Sequence, residues 1–176
     1  MARAAKLDLR AFQRELATRL AAKTAAQVEQ SRLGVACAGE NWLIRLADAG
    51  EVIALPQLAS VPMTKPWYLG IANIRGNLYG VIDFAGFLGR PVEAVAPAAG
   101  QARLVLFGPR VGELRAGLVV QRVLGLRNVA ELARSDPPTG APAWYGARWT
   151  QASGEAWQEI DLAQLAQDAA FLQVGL

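Results

Sequence analysis

Trp67-Tyr68-Leu69-Gly70-Ile71-Ala72-Asn73-Ile74-Arg75-Gly76-Asn77-Leu78-Tyr79-Gly80-Val81-Ile82-Asp83-Phe84 is the stretch on which the reading of this chain turns. Two short apolar runs flank Gly76-Asn77, a turn-forming pair, so the stretch reads as strand, turn, strand. Asn73 and Arg75 sit either side of an apolar residue, and in a strand their side chains would share one face. On the residues alone, such a pair fits plain solvation as well as partner contact. Asp83 then opens a helical turn, where a carboxylate accepts orphan N–H groups and complements the dipole.

Outward from this hairpin, the chain from Arg32 onward is made of short β-branched and Leu-rich runs broken by Gly, Pro and Asn. Strands are expected near 32–37, 41–47, 51–55, 69–75, 78–83, 103–108, 113–120, 122–126, 144–150 and 155–160, a density that suggests barrels or sandwiches. The Ala/Pro/Gly stretch 94–101 reads as a connector between two similar halves. Trp67-Tyr68 matches Trp144-Tyr145 at an offset of 77, and Ile82-Asp83-Phe84 matches Ile160-Asp161-Leu162 at 78. Upstream, an offset of 71 pairs Arg32-Leu33 with Arg103-Leu104, Leu43 with Leu114, and Val52, Ile53 and Leu55 with Val123, Leu124 and Leu126. The growth of the offset implies a six-residue insertion in the loop holding Pro137, Pro138, Gly140 and Pro142, where an insertion costs little. The halves therefore read as a duplication. Asp83 and Asp161 become two copies of one helix cap rather than an acid/base pair.

Before the strands, Leu9, Phe12, Leu16 and Leu20 follow Asp8 at three- and four-residue spacing, so 8–30 reads as an amphipathic helix whose stripe is expected to pack on the body. At the other end, Asp161 to Leu172 reads as a second helix, packed through Leu162, Leu165, Ala166, Ala169 and Leu172. With 176 residues, 53% of them hydrophobic and 19% charged, the chain is long and apolar enough to fold without staples. Cys37, the single cysteine, lies in an apolar run and is expected to be a small buried hydrophobe in a reducing compartment. Charges run through the first thirty residues, so neither a secretory signal nor a membrane anchor is expected there, and the mature chain should start near Met1.

Function classes narrow quickly. There is no histidine, which removes the commonest general base and zinc ligand. No glycine pattern cradles phosphate. The net charge of +3 invites a nucleic-acid reading, yet the basic residues are spread singly, and the nearest grouping, Arg110, Arg115, Arg122 and Arg127, is interleaved with apolar residues. Of the five tryptophans, Trp67 and Trp144 sit at matched points of the duplication, as core packing requires; interface roles stay open for Trp149 and Trp157. No cofactor and no metal is expected. A small-barrel binder of single-stranded nucleic acid is the alternative.

The hairpin stretch resembles the hallmark of the CheW family of chemotaxis coupling proteins, G-x-x-N-[LI]-R-G followed by [VI]-[VI]-D-[LF], and the resemblance runs over 32–172. From Ser60-Val61-Pro62 to Phe87-Leu88-Gly89 it is closer still to the branch serving type IV pilus (twitching motility) chemosensory systems. The resemblance implies a mainly β fold of two packed five-stranded SH3-like barrels, with the N-terminal helix (1–31) as an extension to a domain over 32–176, its halves about 32–93 and 102–172. It implies no catalysis. It implies a cytoplasmic adaptor at membrane-bound receptor arrays, binding the regulatory domain of a CheA-like histidine kinase and the cytoplasmic tip of a methyl-accepting chemoreceptor, with no nucleic acid and no membrane insertion. By the family pattern the partner-binding residues are Glu51, Asn73, Ile74, Arg75 and Gly76, with Val120 and Val123 from the strand Gly117-Leu118-Val119-Val120-Gln121-Arg122-Val123, where Gln121 replaces the usual acidic residue. The helix 8–30 and the Thr150 to Trp157 hairpin depart from the family pattern.

Overall fold

In a computed structural model, residues 9–90 and 100–176 are described, with side chains from residue 13 onward. The Asp8 cap, the side chains of Leu9 and Phe12, and most of the connector 94–101 lie outside the described residues. Helix α1 (Leu9–Gln30) is followed by β1 (Ser31–Cys37), β2 (Glu40–Arg45), β3 (Ala49–Ala54), β4 (Tyr68–Ile74), β5 (Asn77–Asp83) and α2 (Phe84–Phe87). The second half supplies β6 (Arg103–Phe107), β7 (Ala116–Val120), β8 (Arg122–Asn128), β9 (Ala133–Ser135), β10 (Tyr145–Thr150), β11 (Ala156–Ile160), α3 (Leu162–Leu165) and α4 (Ala169–Leu172).

One sheet has the order β8-β1-β2-β11-β10-β9 and the other β3-β6-β7-β5-β4. Neither belongs to one half of the chain. With β1–β5 matched in turn to β6, β7, β8, β10 and β11, the two orders are the same: in each, the first two strands of one half are flanked by the last three of the other. The parallel pairs coincide as well. Gln158 faces Trp42 and Ile160 faces Ile44, as Gly80 faces Ala116 and Ile82 faces Leu118. Asp83 N–H donates to Trp67 O and Asp161 N–H to Trp144 O.

These registers keep the downstream matches and correct the upstream ones. Leu33 stands in the place of Val105, Trp42 of Ala116 and Val52 of Leu126, so the uniform offset of 71 is wrong and Leu114 lies outside every strand. Asn128 to Trp144 spans 16 positions against 13 for the equivalent Ala54 to Trp67, so the insertion is three residues, not six. The missed strand β9 is the lengthened counterpart of the single bridge Ala59↔Ile71, since Arg148 pairs with Ser135 where Ile71 pairs with Ala59.

Packing explains the slip. In β2, Trp42 and Ile44 enter the large core between the sheets, while Leu43 enters a second core inside its own barrel with Trp149 and Trp157. In β6, Val105 and Phe107 face the shared core and Leu104 and Leu106 face the other barrel's interior. Strands buried on both faces carry no in/out alternation to fix a register. Four of the five tryptophans are buried, Trp149 and Trp157 among them, and Trp67 packs half-buried against the shared core. Cys37 is buried there too, and desolvation pushes its thiol up to about 12.

The helices bring two corrections. α1 runs into β1 with no loop between, and every side chain from Gln13 to Gln27 is exposed. Leu16 and Leu20, at 43% and 64% exposure, dock on nothing among the described residues. Good helix formers hold the segment, helped by the Glu15–Arg19 ion pair, while the Thr18 and Thr24 hydroxyls donate to backbone carbonyls one turn back. Its end is tied down to the body: Glu29 pairs with Arg110 at 2.9 Å, and Arg32 Nη1 donates to Glu29 O at 2.6 Å. The expected C-terminal helix is two short ones, because the Asp168 carboxylate accepts from Ala170 and Phe171 N–H and starts a new turn. Phe171 supplies the packing in place of the half-exposed Leu172.

Candidate functional site

Arg75 and Gly76 form a two-residue hairpin loop between β4 and β5, with Ile74 paired to Asn77 and φ of 51° and 84° at the two turn residues. Positive φ at both positions marks a type I′ turn, the kind whose twist matches the flanking strands. The turn is therefore Arg75-Gly76 rather than Gly76-Asn77, and Arg75 does not share a strand face with Asn73. Asn73 serves the turn directly, its Oδ1 accepting from Gly76 N–H at 2.9 Å. Ile74 packs half-buried onto the barrel interior.

Gly76 takes its φ at no steric cost, but Arg75 does not. A left-handed non-glycine residue costs about 1–2 kcal/mol, and the favoured residues at this place are Asn, Asp and Gly. From that position Arg75 Nη1 donates to Glu51 Oε1 at 2.5 Å. Glu51 lies on β3 and Arg75 follows β4, the two edges of one sheet, so the pair spans the seam where the barrel's edges meet. Around it Leu78, cross-strand from Asn73, is 60% exposed, and Val52 beside Glu51 is exposed as well. Leu78 escaped the sequence reading; its signal was an apolar residue directly opposite an outward-facing Asn.

The other two expected contacts lie elsewhere. Val120 is 1% exposed, its side chain packed in the shared core. Val123 packs half-buried against the same core. Glu51, Asn73, Ile74, Arg75 and Gly76 form one locus, which these valines do not join. Among the described residues, no three His, Cys, Asp or Glu side chains are placed to hold a metal ion, and no helix is long and apolar enough to cross a membrane.

A charged cluster unforeseen in the sequence fills the interior of the other barrel. Glu159, almost wholly buried, accepts from Arg32 Nε at 3.0 Å and Arg45 Nε at 3.1 Å through Oε1, and from Trp149 Nε1 at 2.8 Å through Oε2. Both oxygens are satisfied, as a buried carboxylate requires. The equivalent places in the other barrel hold Val81 and Leu104, so this ion group is peculiar to one barrel.

The pattern of the CheW-like domain matches residues 32–170. The chain belongs to the CheW family. Protein PilI of Pseudomonas aeruginosa is 29% identical over 168 residues, covering 93% of this CheW-like chain and 90% of that protein. Protein FrzA of Myxococcus xanthus is 32% identical over 147 residues, covering 81% and 83%. Among solved structures, the scaffolding protein TtCheW from Thermoanaerobacter tengcongensis aligns with a TM-score of 0.61 at 19% identity, over 75% of this chain and 88% of that one. The fold is thus that of CheW-like domains, and the family places the chain among the coupling scaffolds of chemosensory systems.

Proposed function

We propose that this chain is a non-enzymatic adaptor that couples chemoreceptors to a CheA-like histidine kinase in type IV pilus signalling, acting at receptor arrays on the cytoplasmic side of the membrane. Its contacts are the regulatory domain of the kinase and the cytoplasmic tip of a methyl-accepting chemoreceptor. The likeness to PilI supports the pilus assignment. The observation that carries the reading is the Arg75 turn. A residue kept in a strained backbone position, with 77% of its side chain exposed, adds little to stability, and strain of this kind clusters where molecules meet. We assign the contact surface to Glu51, Asn73, Ile74, Arg75 and Gly76, rimmed by Leu78 and Val52.

The test is reconstitution: purified chain mixed with a kinase regulatory domain and a receptor cytoplasmic fragment from a type IV pilus system, analysed by sedimentation. A ternary complex is expected. Absence of binding to either fragment, together with salt-sensitive binding to a single-stranded oligonucleotide, would replace the adaptor with the nucleic-acid reading.

A further inference from the structure

Because the two barrels are built alike, a difference between equivalent places carries information. Against the barrel of β3–β7, the chain's own C-terminal segment is laid down: Phe171 stacks on Trp67 with centroids 6.4 Å apart, Lys65 N–H donates to Val174 O at 2.8 Å, and Leu176 N–H donates to Met63 O at 3.1 Å. With Tyr68, Gly80 and Leu114 this segment leaves a hollow of only about 220 Å³. The equivalents of those three residues on the other barrel are Tyr145, Gln158 and Glu40. They line a groove of about 410 Å³ walled by Pro138 and Pro142.

Pro142 is the counterpart of Lys65, since Tyr145 N–H donates to Pro142 O as Tyr68 N–H does to Lys65 O. A proline has no N–H, so the backbone bond that pins the C-terminal segment on one barrel has no donor on the other. Inside the groove Arg148 takes the place of Ile71, each paired with the residue at the same point of the next strand, Gln158 or Gly80. The Arg148 side chain is exposed and makes no hydrogen bond or ion pair among the described residues, whereas Glu40, the groove's other charge, is held by Arg90 at 3.1 Å. A second hollow of about 310 Å³ shares Glu40, Arg148 and Gln158, which extends the groove along the barrel wall.

We propose that this groove docks an extended segment of a partner protein, one that offers a carboxylate to Arg148 and an apolar side chain to the Tyr145 and proline wall. A free guanidinium fork matches a carboxylate with two parallel donors. The C-terminal segment, with Phe171 and Val174, shows the class of chain such a place accepts in this fold. The site lies on the opposite barrel from the Arg75–Glu51 seam and stands independently of it.

The probe is a fluorescein-labelled peptide of the chain's own residues 168–176 with a free terminal carboxylate, titrated with the full chain and read by anisotropy. Saturable binding is expected, weakened about tenfold or more by Arg148→Glu, and by Arg148→Gln should the first variant fold poorly. It should also weaken about tenfold when the peptide is amidated and its Asp is replaced by Asn. Arg115→Glu, at the rim of the other barrel's hollow, should change nothing. Several results overturn the proposal: no saturable binding, indifference to Arg148, sensitivity to Arg115→Glu instead, or preference for an oligothymidylate. Concentration-dependent self-association abolished by Arg148→Glu would make the occupant a second copy, and binding seen only after residues 91–99 are replaced by a Gly/Ser linker would give the groove to the chain itself; either overturns a partner site.

Discussion

Replacing Arg75 with glycine should leave the fold about as stable as before and weaken partner binding. The ion pair with Glu51 is solvent-exposed at both ends, so its loss costs about 0–1 kcal/mol. Glycine at φ 51° relieves backbone strain of about 1–2 kcal/mol and gives back part of that through the greater freedom of the unfolded chain. The terms nearly cancel, and urea unfolding should show a change within about 1 kcal/mol of zero. Arg75→Ala keeps the strain and loses the pair, so it should be the less stable of the two. Against this flat background, affinity for the kinase or receptor fragment, measured by calorimetry, should fall by about 2 kcal/mol, roughly 30-fold. Arg75→Lys should recover little, because a single ammonium does not reproduce the guanidinium fork. Unchanged affinity in Arg75→Gly refutes the turn as a contact, and parallel loss of stability and binding makes Arg75 a structural residue.

Three further outcomes follow from other parts of the molecule. A chain that begins at Ser31 should lose less than about 1 kcal/mol in urea unfolding, because Leu16 and Leu20 are exposed; a loss near the 1.5–3 kcal/mol of each fully buried Leu would mean that α1 docks after all. Glu159→Gln strands Arg32 inside a barrel and should cost about 3–5 kcal/mol, while the double change Arg32→Leu with Glu159→Val, which copies Leu104 and Val81 of the other barrel, should be less damaging than Glu159→Gln alone by the same denaturation assay. Cys37, with its thiol raised to about 12 from 9.0, is favoured neutral in the fold, so its contribution is full below pH 9 and lost as pH rises toward 12; thiol alkylation at pH 8 should proceed only after unfolding, and rapid labelling of the native chain contradicts the burial.

Much of this was legible because the short-range signals were unambiguous. The caps Asp83 and Asp161 accept from Ala85 and Gln164 N–H as a carboxylate at a helix start should, and the matched Trp-Tyr pairs sit in matched places. The exchange of strands between sheets could not be read, since a strand such as β1 has the same local pattern whichever partner flanks it. The site was half legible: spacing placed Asn73 and Arg75 in a hairpin, but one residue of error in the turn decides whether Arg75 is a strand residue or a strained corner. The burial of Val120 was not legible, because an apolar strand residue looks the same whether it faces a core or a partner. Glu159 and Arg32, 127 positions apart, show how a polar group inside a barrel stays hidden until the fold brings its members together.

The exchanged strand order has a bearing on how such a chain came to exist and how it must fold. Each repeat lends its first two strands to the sheet of the other, so two separate copies in this arrangement would complete both sheets by trading them. That is the geometry of a swapped homodimer, here fused head to tail through residues 91–99. Fusion turns an encounter between molecules into one within a chain, at an effective concentration set by the connector rather than by abundance. Neither half holds a complete sheet, so the protein should melt as one cooperative unit, and two fragments cut between the repeats should each be unfolded alone and regain structure only when mixed.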